Sequence, residues 1–342
     1  MKILGIETSC DETAASVVQD GRTLLSNVIK SQIDIHTEYG GVVPEVAARS
    51  HIEVMLPVVN KALKDANTNW HEIDAIAVTY APGLIGSLLV GTLTARTLAL
   101  IKSKPLYPVH HIKAHVYANF LLEKVPEFPI LALIVSGGHS QLVLFRSHTD
   151  YEILGQTQDD AVGEAFDKVA KILGLPYPGG PSISKASLSG NPDKYSLPKS
   201  KLQNPLDFSF SGLKTAVLRA VQHEVGKDYT FPSHQLAELL TDEQRNDFAA
   251  SFQKIAVETL VDKTELAYRQ HSPASVVIAG GVAANQELRK QLASRLPITI
   301  NYPPIELCTD NAAMIAALAY YQSQSAQPID PRKLEIFPSL SI

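Results

Sequence analysis

Short, dense apolar runs alternate with polar turns along this chain, and one such pattern occurs twice. The first copy is KILGIETSCDETAASVVQDG at the start, and the second is ILALIVSGGHSQLVLFRS beginning at Ile130. In each copy an apolar run meets a tight polar turn and apolar sequence then resumes, which predicts a pair of strands. In the second copy Ser136, Gly137, Gly138 and His139 make that turn. Further strand-like sequence follows, TLLSNVIKSQ in the first case and YEILGQTQ in the second, so each half opens as an antiparallel meander rather than as βαβ units. Helical periodicity then takes over. Residues 44–66 place Val46, Ile52, Met55, Val58, Val59 and Leu63 on a broad face, and 84–101 read as a second, more buried helix. In the second half Thr241 precedes a long helical pattern, with Gln244 placed for a capping box and Phe248, Phe252, Ile255, Ala256, Leu260 and Leu266 at helical spacing. Near the end, SVVIAGG reads as a buried strand ending in glycines and VAANQELRKQLASRL as a helix. That order suits a phosphate or nucleoside, because glycines admit close backbone approach and first-turn amides attract an anion.

A chain of 342 residues exceeds what one core usually organises, and 45% apolar with 19% charged residues is ordinary for a globular protein, so two packed units are expected. The two cysteines, Cys10 and Cys308, suit neither a disulfide scaffold nor a cysteine-rich zinc site, which favours a reducing cytoplasm. No apolar stretch of signal-peptide type opens the sequence. The most apolar stretch, 84–101, contains Gly86, Gly91, Thr92, Thr94 and Arg96 and falls short of a spanning length, so no membrane association is expected. A net charge of −5 supplies no global attraction for polyanions, and any nucleic-acid partner must meet a local patch. One segment qualifies: between 168 and 219, Lys168, Lys171, Lys185, Lys194, Lys199, Lys201, Lys214 and Arg219 have only Asp193 and Asp207 as acidic neighbours. Such a run is either a nucleic-acid contact or a solvated face.

Several groups of residues carry candidate chemistry. If 112–120 is helical, His111 and His115 lie one turn apart on one face and either share a metal or are ordinary structural histidines. The residues between them, Ile112, Lys113 and Ala114, supply no glutamate, which argues against a zincin-type protease. Asp310, at the start of an alanine-rich helix, is either a third ligand or an N-cap. The turn Ser136–His139 offers consecutive amides, hydroxyls and an imidazole suited to phosphate oxygens. Asp11 and Glu12 occupy the equivalent turn of the first copy. Asp160, Glu164 and Asp167 have the spacing of one helix face, and Gly179 and Gly180 lie between prolines as a rigid turn or a connector.

Taken together and in this order, SCDETA, GGVVPEVAAR, APGLIGSLLVG, HHIKAH, VSGGH, DDAVGEAFDKVAKILGLPYPGGP, FSFSGLKTA, AGGVAAN and CTDNAAMIA closely resemble the tRNA threonylcarbamoyladenosine transferase family over nearly the whole chain. The resemblance implies an α/β protein of the actin-like, sugar kinase and Hsp70-type fold, with two duplicated ribonuclease-H-like lobes and a cleft between them. It implies an N-terminal lobe at 1–108 completed by a helix at about 310–325, a metal-ligand helix and connector at 109–128, and a C-terminal lobe at 129–309. The implied activity is transfer of a threonylcarbamoyl group from threonylcarbamoyl-AMP to N6 of adenosine 37, just 3′ of the anticodon, in tRNAs reading ANN codons. His111, His115 and Asp310 are then the ligands of one divalent metal, Fe2+ or alternatively Zn2+. Val135, Ser136, Gly137, Gly138 and His139 line the phosphate and carbamoyl region of a bound nucleotide, threonylcarbamoyl-AMP or ATP. Asp167, Gly180 and Asn285 contact the nucleoside, and Asp11 and Glu12 face the reacting groups. Implied partners are tRNA, the paralogous TsaB docking on 44–66, the ATPase TsaE, and TsaC as the source of the adenylate. A sugar or carboxylate kinase shares the fold but has no use for two paired histidines.

Overall fold

The apolar runs form nine strands in two sheets, and a computed structural model describes residues 1–342. Contacts divide the chain into two units, one of Met1–Pro126 with Asn301–Ile342 and one of Glu127–Ile300. In chain order the first unit begins with β1 (Lys2–Glu7), β2 (Glu12–Gln19), β3 (Thr23–Ser31), α1 (Ile33–Tyr39), α2 (Pro44–Asp65), β4 (Ala75–Ala81), α3 (Ile85–Lys102), β5 (Leu106–His110) and α4 (His111–Tyr117). The second unit holds β6 (Ile130–Val135), β7 (Ser140–Phe145), β8 (Tyr151–Gln156), α5 (Val162–Leu173), α6 (Gly179–Ser187), α7 (Ser211–Glu224), α8 (Asp242–His271), β9 (Ser275–Ala279) and α9 (Gln286–Arg295). The chain then returns to the first unit with α10 (Ile305–Cys308) and α11 (Ala312–Ser323). Of the ligand helix and connector set apart above at 109–128, residues 109–126 lie in that unit and 127–128 in the other.

The two sheets share one plan. In the first, the order is β3-β2-β1-β4-β5, with β1, β2 and β3 antiparallel and β4 and β5 added parallel to β1. In the second, the order β8-β7-β6-β9 repeats the antiparallel meander and the first parallel addition. A parallel neighbour requires a crossover, and the helices between the strands supply it. This duplicated α/β plan is that of the actin-like, sugar kinase and Hsp70-type fold.

Helices cover both faces of the first sheet, which is why β1 reads as an unbroken apolar run rather than as an alternation. Leu4 and Ile6 join Met55, Val58, Val59, Ala62 and Ala95 in one cluster beneath α2 and α3. Between them Gly5 points the other way, where a Cβ would lie 2.3 Å from the Ala312 carbonyl oxygen, so only glycine lets α11 lie against the strand. Ala312 to Ala319 of α11 are all buried.

Three helices differ from their sequence reading. The buried face of α2 runs through Ala47, His51, Met55, Val58, Val59, Ala62 and Leu63. Ile52, assigned above to that face, is 67% exposed and His51 is buried in its stead, because the stripe follows i, i+4 steps from Ala47. The helix at 84–101 is not the buried one expected. It packs its small residues Ser87, Gly91, Thr92, Ala95 and Ala99 inward and leaves Ile85, Leu89, Leu93, Leu100 and Ile101 exposed. By length and composition α3 could cross a membrane, but its small-residue side lies on α2 and β4. Helix α9 begins at Gln286, not at Val282, since the Asn285 side chain accepts from the Leu288 N–H as N-cap and Gly281–Ala284 form a 3-10 turn ahead of it.

The expected capping box at the head of α8 is present, with Thr241 Oγ1 accepting from Gln244 N–H and the Gln244 side chain accepting from Thr241 N–H. Thr241→Ala removes half of it and is expected to cost about 1 kcal/mol, read as a lowered urea midpoint at unchanged slope.

Candidate metal centre

β5 delivers the chain directly into α4, so that His111 is the first residue of the helix and His115 stands one turn along it, both buried. Asp310 arrives from the other end of the unit. It does not cap α11: Asn311 does, accepting from Met314 N–H. The Asp310 carboxylate is thereby left to the histidines. Its Oδ1 lies 3.2 Å from His115 Nε2 and 3.6 Å from His111 Nε2, and the two Nε2 atoms are 3.2 Å apart. Three donor atoms on the edges of such a triangle fit one ion, because bonds of about 2.0–2.1 Å place tetrahedral ligands about 3.3 Å from one another. His115 Nδ1 has no hydrogen-bond partner, so the polar contacts of that ring are made through Nε2.

The far side of His111 shows what fixes the ring. Its Nδ1 lies 3.1 Å from Glu7 Oε2 and 3.2 Å from Ser9 Oγ. Glu7 ends β1, is wholly buried, and also accepts from Thr79 Oγ1 at 2.5 Å and from the Ser9 N–H. Burial alone would raise the Glu7 carboxyl, yet the neighbouring His111 leaves it below the usual carboxylate range. A carboxylate there makes Nδ1 the donor and turns the Nε2 lone pair toward His115 and Asp310. For His111 burial pulls down, but the charges of Asp310 and Glu7 outweigh it and hold the ring up at about 9. The cluster favours positive charge, which a metal ion would supply in exchange for the proton.

Glu7 is the residue that the sequence pattern hid. A carboxylate closing an apolar strand looks like the strand's exposed end, and only its burial and its three donors identify it.

Asp11 and Glu12 occupy the turn from β1 into β2 in the same unit. Burial pushes the Glu12 carboxyl up to about 9, aided by the charges of Asp310 and Asp11, while Ser31 donates to its Oε1 at 3.2 Å.

In the second unit, the expected turn joins β6 to β7 and is closed by Ser136 N–H donating to the His139 carbonyl at 2.9 Å. Gly137 and Gly138 are exposed, with open space where a Cβ would stand. The Gly137 carbonyl accepts from Glu164 N–H, which ties the turn to the head of α5. Gly280 follows β9 beside Val135, at φ +90°. The Asp167 carboxylate accepts from Gly179 N–H at 2.7 Å, setting the entry to α6. Gly179 and Gly180 thus start a helix, after Pro178, rather than forming a separate turn. Asn285 is tied into the protein, donating to Ser184 Oγ at 3.1 Å and to Gln253 Oε1 at 3.0 Å while capping α9. Asp160 precedes α5, so it does not share a helix face with Glu164 and Asp167, and it pairs with Lys168 and Lys214. The basic segment is also less free than its sequence neighbours indicate, since Lys199 pairs with Glu258 and Asp262 from α8. Lys171, Lys185, Lys194 and Lys201 remain exposed.

The family model described as TsaD: tRNA N6-adenosine threonylcarbamoyltransferase matches residues 23–317. A protein of Thermomicrobium roseum with that name is 53% identical over 95% of this chain and 92% of its own length. One of Dehalococcoides mccartyi is 51% identical over 100% of this chain and 99% of its own. Among solved structures, component A of (R)-2-hydroxyglutaryl-CoA dehydratase from Acidaminococcus fermentans superposes with a TM-score of 0.51 at 14% identity, over 95% of this chain and all of the other, a likeness of fold. With a family match across most of its length and relatives of the same extent at half identity, the chain belongs to the tRNA N6-adenosine threonylcarbamoyltransferase family and is a transferase.

Proposed function

We propose that this enzyme transfers the threonylcarbamoyl group of threonylcarbamoyl-AMP to N6 of adenosine 37 in tRNAs reading ANN codons, in the cytoplasm and with one divalent metal, Fe2+ or alternatively Zn2+. The observation that carries this reading is the converging His111, His115 and Asp310 group, in a chain whose full-length relatives bear the transferase name. In the reaction the N6 amine bonds to the carbamoyl carbon, the bond from that carbon to the phosphate oxygen breaks, AMP leaves, and the amine gives up a proton. A metal held by the two Nε2 atoms and Oδ1 supplies a Lewis acid for phosphate charge. Val135 to His139 hold the phosphate and carbamoyl region, the glycines leaving backbone amides open to oxygen atoms. Asp167 and Gly180 contact the nucleoside, and Asn285, braced by Ser184 and Gln253, presents a fixed surface to it. Asp11 or Glu12 takes the amine proton.

The test is transfer of labelled threonine from threonylcarbamoyl-AMP to tRNA by the protein with TsaB, TsaE and metal. His111→Ala is expected to lower transfer more than about 100-fold together with bound metal. Glu12→Gln and Asp11→Asn, compared in the same assay, identify the base by which of them loses turnover while keeping metal. Label in the His111→Ala reaction at the wild-type level would overturn the metal assignment, and no label with either protein would overturn the transfer.

We also assign TsaB to the outer side of α2 and α3. Ile52 and Leu56 on α2 are 67% and 58% exposed, and Ile85 and Leu93 on α3 61% and 52%, an apolar surface of the kind that marks a protein contact. Leu56→Glu is expected to abolish co-elution with TsaB while leaving the melting temperature of the isolated chain unchanged. The exposed lysines Lys171, Lys185, Lys194 and Lys201 are the proposed tRNA phosphate contacts.

A further inference from the structure

Two histidines outside the metal group are fully buried, His36 on α1 and His51 on α2. Buried imidazole nitrogens usually find hydrogen-bond partners, and following those of His36 and His51 gives one connected path. His51 Nε2 lies 2.9 Å from the Cys10 carbonyl oxygen. A carbonyl only accepts, so Nε2 carries the proton and Nδ1 is the acceptor. Thr13 Oγ1 meets that Nδ1 at 2.7 Å, with the Gln32 amide nitrogen at 3.5 Å. The same amide nitrogen donates to the Ala47 carbonyl, which directs Gln32 Oε1 toward His36 Nε2 at 3.2 Å. His36 Nδ1 then accepts from Val43 N–H at 3.3 Å. The donors run one way, from Val43 through His36, Gln32 and His51 to Cys10. Burial lowers the affinity of His51 for a second proton, in keeping with a neutral ring.

The path ends on the turn that carries Asp11 and Glu12. Besides His51, the Cys10 carbonyl accepts from Ser87 Oγ of α3 at 3.0 Å, and Gln32 N–H donates to the Asp11 carbonyl at 3.2 Å. The backbone one residue before the two carboxylates is therefore held by side chains from two different helices. We propose that His51 is a positioning residue for the Asp11–Glu12 turn, and that the His36–Gln32–His51 path anchors that turn to α1 and α2. The inference rests on the proposed role of those carboxylates in transfer. A displaced turn moves a proton acceptor away from the amine without altering what binds the adenylate, so the defect belongs in kcat rather than in KM.

Two variants test it. His51→Phe keeps the ring's bulk and removes the donor, and His51→Gln keeps an amide donor that reaches toward the Cys10 carbonyl. In His51→Phe, kcat for transfer is expected to fall about tenfold or more, with KM for threonylcarbamoyl-AMP within about twofold and metal content unchanged, and His51→Gln is expected to recover a large part of the loss. Amide hydrogen exchange followed by mass spectrometry supplies a readout independent of transfer: exchange should rise in the peptide spanning 9–13 and not across the rest of the first unit. Unchanged exchange at 9–13 in His51→Phe, or a wild-type kcat, overturns the inference. So does a loss shared equally by both variants with exchange raised throughout the unit, because that marks a purely structural histidine. Absence of transfer by the wild-type protein overturns the proposed function instead, and the exchange result still decides whether His51 holds the turn.

Discussion

Glu7→Gln is expected to weaken divalent-metal binding about 10–100-fold, although Glu7 lies outside the proposed ligand set. The reason is an arithmetic of donors. Three groups donate to the Glu7 carboxylate, Ser9 N–H to Oε1 and both Thr79 Oγ1 and His111 Nδ1 to Oε2. Glutamine has the same shape but only one acceptor oxygen. If that oxygen keeps Thr79 and His111, the amide nitrogen is set against the Ser9 N–H, donor against donor in a buried site, at a cost of about 1–3 kcal/mol. If the amide turns round, His111 Nδ1 faces a donor and the ring loses the partner that aims Nε2 at His115 and Asp310. Either way the negative charge that draws a cation to the cluster is gone. The measurement is competition for Zn2+ against a chromogenic chelator, starting from metal-free protein. Unaltered affinity in Glu7→Gln would show that α4 alone orients His111.

The second large effect is expected at Gly280. Its backbone, φ +90° and ψ 167°, lies in a region that is essentially restricted to glycine, so any side chain costs about 1–3 kcal/mol in strain. A Cβ there would also stand 2.4 Å from the Val135 carbonyl oxygen, an overlap that only backbone movement relieves. Gly280→Ala should therefore lower the urea midpoint by at least that strain. It should also raise KM for threonylcarbamoyl-AMP, because the displaced atoms begin the Ser136–His139 turn. A midpoint equal to wild type would mean that β6 and β9 separate at that end without penalty.

Much of this architecture is legible in the sequence because it depends on local pattern. The paired meanders at Lys2–Ser31 and Ile130–Gln156, the capping box at Thr241 and the histidines one turn apart all depend on residues close together in the sequence. Misreadings arose where distant partners decide. Ile52 and His51 exchange places because periodicity cannot say which of two adjacent residues finds a polar partner inside, and His51 finds Cys10 and Thr13. The helix at 84–101 reads as buried because it is apolar almost throughout, so no polar face betrays which side is turned inward. Asp310 could not be separated from a capping role until Asn311 was seen to fill it. Lys199 looked unpaired because Glu258 and Asp262 lie far along the chain.

The first unit is interrupted, and the interruption sets an order of events on the ribosome. Glu127–Ile300 is one continuous stretch and can consolidate as soon as it emerges, in keeping with the habit of domains to fold as units during synthesis. The preceding segment cannot. Its sheet awaits α11, whose close approach at Gly5 completes one face, and its histidines await Asp310. On the proposed ligand assignment, metal capture falls late in biogenesis: a stalled or prematurely terminated polypeptide presents the two histidines without the closing carboxylate of Asp310.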